Sequence, residues 1–402
     1  MICYLSYDGL TDPLGQSQIL PYILGLAKKN YKIYIFSFEK KGKYISSGKE
    51  INNVCEANGI SWIPLSYTKS PPILSTIYDL LILQRAIKKC FKSNNIQIVH
   101  CRSYLTSLVG LWAKRKYKTK FIFDMRGFWA DERVEGGLWN LKNPMYRMVY
   151  NYFKKKEIEF IRQSDHIITL THAAKKEILQ WEDCKSFSKK ISVIPTCVDF
   201  DLFDPEKVKE TDKLRSELGL NKDEFLLLYL GSLGTWYMLD EMLLFFKELK
   251  KEKKIARFLF VTPDIQLLQD RIETLKLRND DFIIKSVFRE QVPSYILLAD
   301  CSVVFIKPVY SKIASSATKI PEIMAMGVPL VTNKGWGDID MISQKATNLI
   351  HLVDRPTIEN FGEVVRNLEK NKYKEQKHAK EIMKDFSLEN GISAFQQVYF
   401  KL

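Results

Sequence analysis

Two segments of this chain have the make-up of a phosphate-holding turn. Ser6-Tyr7-Asp8-Gly9-Leu10-Thr11-Asp12-Pro13-Leu14-Gly15-Gln16-Ser17-Gln18 follows the apolar run Ile2–Leu5 and leads to a helical stretch starting near Ile19. Free backbone N–H groups and the helix dipole at such a junction favour a diphosphate, and a glycine such as Gly15, next to Gln16, permits close backbone approach. Tyr229-Leu230-Gly231-Ser232-Leu233-Gly234-Thr235-Trp236-Tyr237 repeats the arrangement in the second half, with Gly231 and Ser232 in the turn. Neither segment is GxGxxG or a P-loop, and an ordinary βα loop is the plainer reading of either alone.

A third segment is denser. Ser315-Ser316-Ala317-Thr318-Lys319-Ile320-Pro321-Glu322-Ile323-Met324-Ala325-Met326-Gly327 reads as hydroxyl residues before a short helix that ends at Gly327. Ser316, Thr318 and the helix amides could hold a phosphate with Lys319 as counter-charge, and Glu322, one turn in, could accept from ribose hydroxyls. The alternative is that Thr318 simply caps the helix. Phe288 and Arg289, after another strand, could meet a nucleotide base or belong to a plain surface loop. Charged residues also follow strands of the first half: Asp8, Arg102, and the run Asp124-Met125-Arg126-Gly127-Phe128-Trp129-Ala130-Asp131-Glu132. Working groups of α/β enzymes collect at the carboxyl ends of parallel strands, although a surface salt-bridge cluster would look the same.

The elements that must position these groups alternate. Apolar runs at Ile2–Leu5, Lys32–Phe36, Ile60–Leu65, Ile96–His100, Phe121–Asp124, His166–Leu170 and Ile191–Ile194 predict strands separated by helical stretches such as Ile19–Lys29 and Ile77–Phe91. The pattern restarts at Phe225–Leu230, Arg257–Val261, Phe282–Lys285, Ser302–Ile306 and Pro329–Thr332. Pro195–Asp212, with two prolines and several acids, reads as a linker. This order predicts two α/β domains, each a parallel sheet of the Rossmann kind, facing a central ligand cleft. The expected boundaries are 1–195, 196–385 and a helix over 386–402. A chain of 402 residues, 46% hydrophobic, can bury two such cores.

These residues resemble glycosyltransferase family 4, whose members have the GT-B fold. The resemblance rests on SYDGLTDPLGQSQ, FDMRGFWADE, VIPTCVDFDLF, LLYLGSLG, VPSYILLAD and SSATKIPEIMAMGVPLVTN, and spans nearly the whole chain. It implies a final helix that returns to the first domain and a nucleotide-sugar donor (UDP-, GDP- or other), held chiefly by the second domain; the expected donor contacts are Gly231, Ser232, Phe288, Arg289, Ser316, Thr318, Lys319 and Glu322, with Gly15 and Gln16 from the first domain. It implies retention, and no cofactor or metal. Arg126, Asp131 and Lys319 are then the expected catalytic groups, and Asp8, Arg102, Asp124, Trp129 and Glu132 the acceptor contacts. Three departures from the family pattern stand out. Ala314 stands where a first glutamate is common; Ser232 and Trp236-Tyr237 replace diphosphate-binding Arg and Lys; Arg126 replaces a histidine. Positive charge then has to come from Lys319, Lys307, Lys312 or Arg126.

The net charge of +14 suits phosphate-bearing substrates or an anionic membrane. It also raises a nucleic-acid-binding reading, which no helix-turn-helix, RNP or zinc signature supports. An NAD-dependent enzyme would need GxGxxG with an acid about 20 residues on, and none occurs. A degenerate GT-B protein acting as a partner subunit is the remaining rival. Seven scattered cysteines, no CxxC and no signal-peptide pattern lead to the expectation of a cytoplasmic protein. Ile73–Lys92 and Asn143–Lys156 combine apolar and aromatic residues with Arg85, Lys88, Lys89, Lys92, Arg147, Lys154, Lys155 and Lys156. They suggest peripheral membrane contact and a glycan or polyprenyl-linked glycan acceptor in surface-polysaccharide assembly (capsule, O-antigen or exopolysaccharide).

Overall fold

The computed structural model describes residues 1–209, 211–368, 379–381 and 383–402. The chain divides into two compact units, Met1–Pro195 with Leu388–Leu402, and Thr196–Ser387.

The first unit is built on a seven-stranded parallel sheet. Its strands are β1 (Ile2–Ser6), β2 (Ile33–Glu39), β3 (Ser61–Ser66), β4 (Ile98–Arg102), β5 (Lys120–Asp124), β6 (His166–Thr169) and β7 (Ile191–Val193), in the order β3-β2-β1-β4-β5-β6-β7. β1 and β4 are buried along their whole length, as strands covered by helices on both faces must be. The order reverses between β1 and β4, so the crevice at the carboxyl ends of these two strands is the place where such sheets bind ligands. Helix Leu388–Phe400 packs on helix Leu20–Lys28 through Tyr22 and Phe395, whose ring centroids are 5.3 Å apart. Gly25 makes this approach possible, because a Cβ there would stand 2.1 Å from Ile392 Cδ1.

The second unit repeats the scheme with six parallel strands: β8 (Phe225–Leu230), β9 (Ala256–Val261), β10 (Phe282–Lys285), β11 (Cys301–Val304), β12 (Leu330–Asn333) and β13 (Ile350–Val353), ordered β10-β9-β8-β11-β12-β13. Apolar cores cover both faces, one around Leu228, Ile323 and Met326, the other around Tyr229, Phe245 and Phe258. The sequence reading missed β13, whose half-buried His351 and Leu352 give a weak apolar signal on an edge strand.

Two further expectations change. The chain is already helical from Pro13 to Gln18, with a break at Ile19, so Gly15 and Gln16 lie inside a short helix rather than in an open turn. The segment expected as a linker is packed: Cys197, Val198 and Phe203 are buried, and Val198 N–H donates to Phe386 O at 2.8 Å.

Candidate functional site

In each unit the turn after the central strand is tied down by a carboxylate from the neighbouring strand's end. Glu39, buried at the end of β2, accepts from Leu10 N–H (2.8 Å), Thr11 N–H (3.1 Å) and the hydroxyls of Thr11 and Ser37 (both 2.5 Å). Asp264, just past β9, accepts from Leu233 N–H at 2.7 Å. Both anchors escaped the sequence reading. A carboxylate shortly after a predicted strand and level with a glycine turn was the signal available.

The anchored turns serve different ends. A Cβ on Gly15 would come within 2.0 Å of Gly9 O and 2.7 Å of Leu10 Cα, so the close approach Gly15 allows is between two parts of the chain. Gln16 Nε2 donates to Thr11 O at 3.3 Å. In the second unit the tight neighbour is a functional group. Gly231, at φ +98, leaves room for Lys319, whose Nζ would stand 3.1 Å from a Cβ there.

Lys319 is buried at the start of helix Lys319–Ala325. Its ammonium donates to Tyr229 Oη at 3.0 Å and lies 4.3 Å and 3.6 Å from the ring centroids of Tyr229 and Tyr237. Burial draws its pKa well below the lysine range, and nearby Glu322 and Asp264 only partly oppose this. Lys312, also buried, lies 3.8 Å over the Trp236 ring. Trp236 and Tyr237, which replace charged residues of the family pattern, thus become the aromatic faces that hold two lysines. Lys307 is exposed.

Glu322 meets Arg289 at 3.0 Å, and the Arg289 guanidinium also lies 5.2 Å over the Phe203 ring. Burial pushes the Glu322 carboxyl up; Arg289 and Lys319 counter it. Ser316 is engaged elsewhere, its hydroxyl 2.7 Å from that of Thr196. Thr318 stands at the N-cap position with φ -56 and ψ -35, and its side chain makes no capping hydrogen bond, so the capping alternative fails. Ser232 uses its carbonyl to accept from Tyr229 Oη at 2.5 Å. Phe288 is 79% exposed, and Ala314 is buried. The second unit therefore gathers Gly231, Lys319, Glu322 and Arg289 near the end of β8.

The first unit gathers a second cluster at the β1–β4 crevice. Arg102 Nε donates to Asp8 at 3.3 Å, Arg126 lies 3.7 Å from Asp124, and His100 Nε2 lies 3.4 Å from Asp124 on its other oxygen. The far side of the His100 ring meets Tyr399 Oη at 2.8 Å, a contact between β4 and the final helix that sequence spacing could not reveal. Burial raises the Asp124 carboxyl, but Arg126, His100 and Arg102 together outweigh it and hold the group below the usual carboxylate range. Burial and the Arg102 charge lower the pKa of Arg126, whose backbone sits at φ +58.

Asp131, expected as a catalytic group, and Trp129 and Glu132 of the expected acceptor set share helix Trp129–Glu135. Asp131 accepts from Tyr150 Oη and from Lys154 Nζ, both at 2.8 Å, and so clamps helix Trp129–Glu135 to helix Pro144–Gln163. Lys154 also pairs with buried Glu157, which in turn accepts from Tyr104 Oη. Trp129 stacks near Tyr104 and lies under Arg133, and Glu132 is half-buried on the same helix.

The 3-2-1-4-5-6 strand order in both units, with a seventh strand ending the first sheet, makes a pair of doubly wound sheets, the GT-B class of fold. Residues 22–202 match the family described as Glycosyltransferase Family 4, and residues 210–385 match Glycosyl transferases group 1. The chain belongs to the family 4-like GT-B glycosyltransferases and is an enzyme of that kind. None of the curated proteins matches it. Among solved structures it resembles a glycosyltransferase from Rickettsia africae, at 17% identity and TM-score 0.69, covering 100% of this chain and 97% of that one. It resembles HepE of Anabaena in complex with UDP and glucose at 13% identity and TM-score 0.70, covering 100% and 99%. It also resembles WaaG, a glycosyltransferase involved in lipopolysaccharide biosynthesis, at 12% identity and TM-score 0.66, covering 98% of both chains.

Proposed function

We propose that this enzyme transfers a sugar from a nucleotide-sugar donor to a glycan or polyprenyl-linked glycan, with retention, in bacterial surface-polysaccharide assembly. The observation that carries the donor assignment is Lys319, a buried ammonium seated on the Gly231 turn, with Glu322 one turn along its helix. Lys319 would face the negative charge that builds on the diphosphate as the glycosidic bond breaks, which is usually the largest catalytic term. Glu322, oriented by Arg289, would accept from ribose hydroxyls. As the sugar becomes oxocarbenium-like, the acceptor hydroxyl attacks on the face the diphosphate leaves, and the leaving phosphate takes its proton. No carboxylate base is needed. HepE, similar in fold, was crystallised with UDP and glucose, which favours a nucleotide-sugar.

The Asp8–Arg102 and Asp124–Arg126 pairs are proposed to receive the acceptor. A membrane-borne acceptor is favoured by an exposed stripe of Leu74, Ile77, Tyr78 and Leu81, with Met145, Met148 and Tyr152 on a second helix. No described helix is long and apolar enough to cross a membrane, and the contact proposed is a peripheral one. A second reading, a binding subunit without transfer activity, draws on Ala314 and on the aromatic faces over Lys312 and Lys319.

Thermal-shift screening of nucleotide sugars, followed by a transfer or hydrolysis assay with whichever donor raises the melting temperature, separates the two. Stabilisation with turnover is the expected result. Stabilisation without turnover supports the subunit, and no stabilisation by any donor overturns the donor assignment.

A further inference from the structure

Away from both clusters, helix Leu74–Ser93 stands off the β2–β3 edge and leaves a cavity of about 520 Å³, within the size range of small-molecule sites. Its walls are mainly apolar, with Phe36 and Ile63 from the strands and Ile82 and Ala86 from the helix. Two cations, Arg85 and Lys89, also line it, and neither has a hydrogen bond or ion pair with any described residue. At about 100° per residue, Lys89 falls between the cavity stripe of Ile82, Ala86 and Cys90 and the exposed stripe of Leu74, Ile77, Tyr78 and Leu81, and Arg85 falls on the exposed stripe beside it.

We propose that this cavity binds one anionic amphiphile, its alkyl chain against Phe36, Ile63, Ile82 and Ala86 and its carboxylate or phosphate on Arg85 and Lys89. The chemistry follows from the lining. Apolar walls gain by shedding water onto an alkyl chain, and two cations without acidic partners at the mouth select an anionic head over a neutral one. The same chemistry is offered by a free long-chain carboxylate and by a chain of an anionic bilayer lipid. The inference does not depend on the glycosyl-transfer reading, because no residue of the donor or acceptor cluster lines the cavity.

Cys90 supplies a probe. It lines the cavity and is the one cysteine of seven that is not buried. A maleimide at pH 8 should label Cys90 in the full chain, with Cys90→Ser as the control for the labelled position. Dodecanoate below its critical micelle concentration should slow labelling at least tenfold, and dodecyl maltoside at the same concentration should slow it far less. Arg85→Glu with Lys89→Glu should remove the dodecanoate effect, as should Ala86→Phe, which fills the cavity. Calorimetric titration of dodecanoate should show one site, lost in both variants, and gives an answer even if Cys90 labels poorly. Phosphatidylglycerol vesicles at equal lipid concentration decide the source: protection by vesicles assigns a bilayer lipid, and protection by dodecanoate alone assigns a free carboxylate. Absence of both protection and titrated binding would overturn the proposal. Equal protection by the neutral detergent would overturn the role of the two cations.

Discussion

Lys319 combines a functional claim with an energetic cost. An ammonium held between Tyr229 and Tyr237 gains cation–π attraction but loses water, and its lowered pKa shows that the loss dominates. The unfolded chain keeps the ordinary lysine pKa of about 10.4. Between the folded value and about 10.4, the unfolded state therefore binds more protons, and the penalty Lys319 places on the fold is relieved as pH rises. Lys319→Met should then melt at or above the wild-type temperature at neutral pH, with the gap closing toward pH 10. The same variant should lose at least tenfold in donor affinity, and nucleotide-sugar binding to wild type above the folded pKa should take up protons. Unchanged donor affinity in calorimetry would remove Lys319 from the site. Glu322→Ala should weaken donor binding by about 1–3 kcal/mol, the range for losing a charged acceptor. It should also destabilise the fold, because Arg289 keeps its charge and loses its 3.0 Å partner. Glu322→Gln keeps the shape, so donor loss without a large fall in melting temperature in that variant separates binding from folding.

At the scale of elements, the two first turns show how one topology supports different uses. Each follows the central strand of its sheet, and each is fixed by a carboxylate from beside the next strand, Glu39 or Asp264. The Gly15 helix closes on Gly9 and Leu10, whereas the Gly231 turn closes on Lys319. Gly15→Ala should therefore act on folding. An added methyl 2.0 Å from a carbonyl oxygen forces the backbone apart, and over-packing of this kind costs about 1–3 kcal/mol. Denaturant unfolding should show that loss, and an undiminished midpoint would show that the short helix can shift freely. The clamp at Asp131 belongs to the same scale. It joins two helices through Tyr150 and Lys154, so Lys154 is a structural cation as well as part of a basic run.

For the whole molecule, an excess of positive charge becomes meaningful only through its placement. Lys154 and Lys156 pair with Asp131, Glu157 and Glu159, whereas Arg85, Lys88, Lys89 and Lys92 have no ion pair among the described residues. Sedimentation with anionic liposomes should be strong at low salt and fall steeply as ionic strength rises, each surface cation contributing about 1 kcal/mol. Reversing Arg85, Lys88, Lys89 and Lys92 to Glu should abolish it with donor binding intact. Reversing Lys154 should instead lower the melting temperature, since two acids would lose their cation. Protein that stays in the supernatant at low salt would point to a water-soluble acceptor.

The sequence by itself determined the class of fold. Buried parallel strands read as continuous apolar runs, and the glycine turns and the short helix Lys319–Ala325 are marked by local backbone chemistry. It also carried the family resemblance and the pairing of Lys319 with Glu322 on one helix. The edge strand Ile350–Val353 was illegible because two of its four residues are only half-buried. Only the tertiary structure decided which polar and charged groups are occupied. Asp131 and Ser316 are taken by partners 19 and 120 residues away in sequence, Arg289 by a glutamate on another helix, and His100 by Tyr399 from the last helix. Such pairings depend on strand order and helix packing, which bring distant residues within 3 Å of each other, and no local periodicity encodes them.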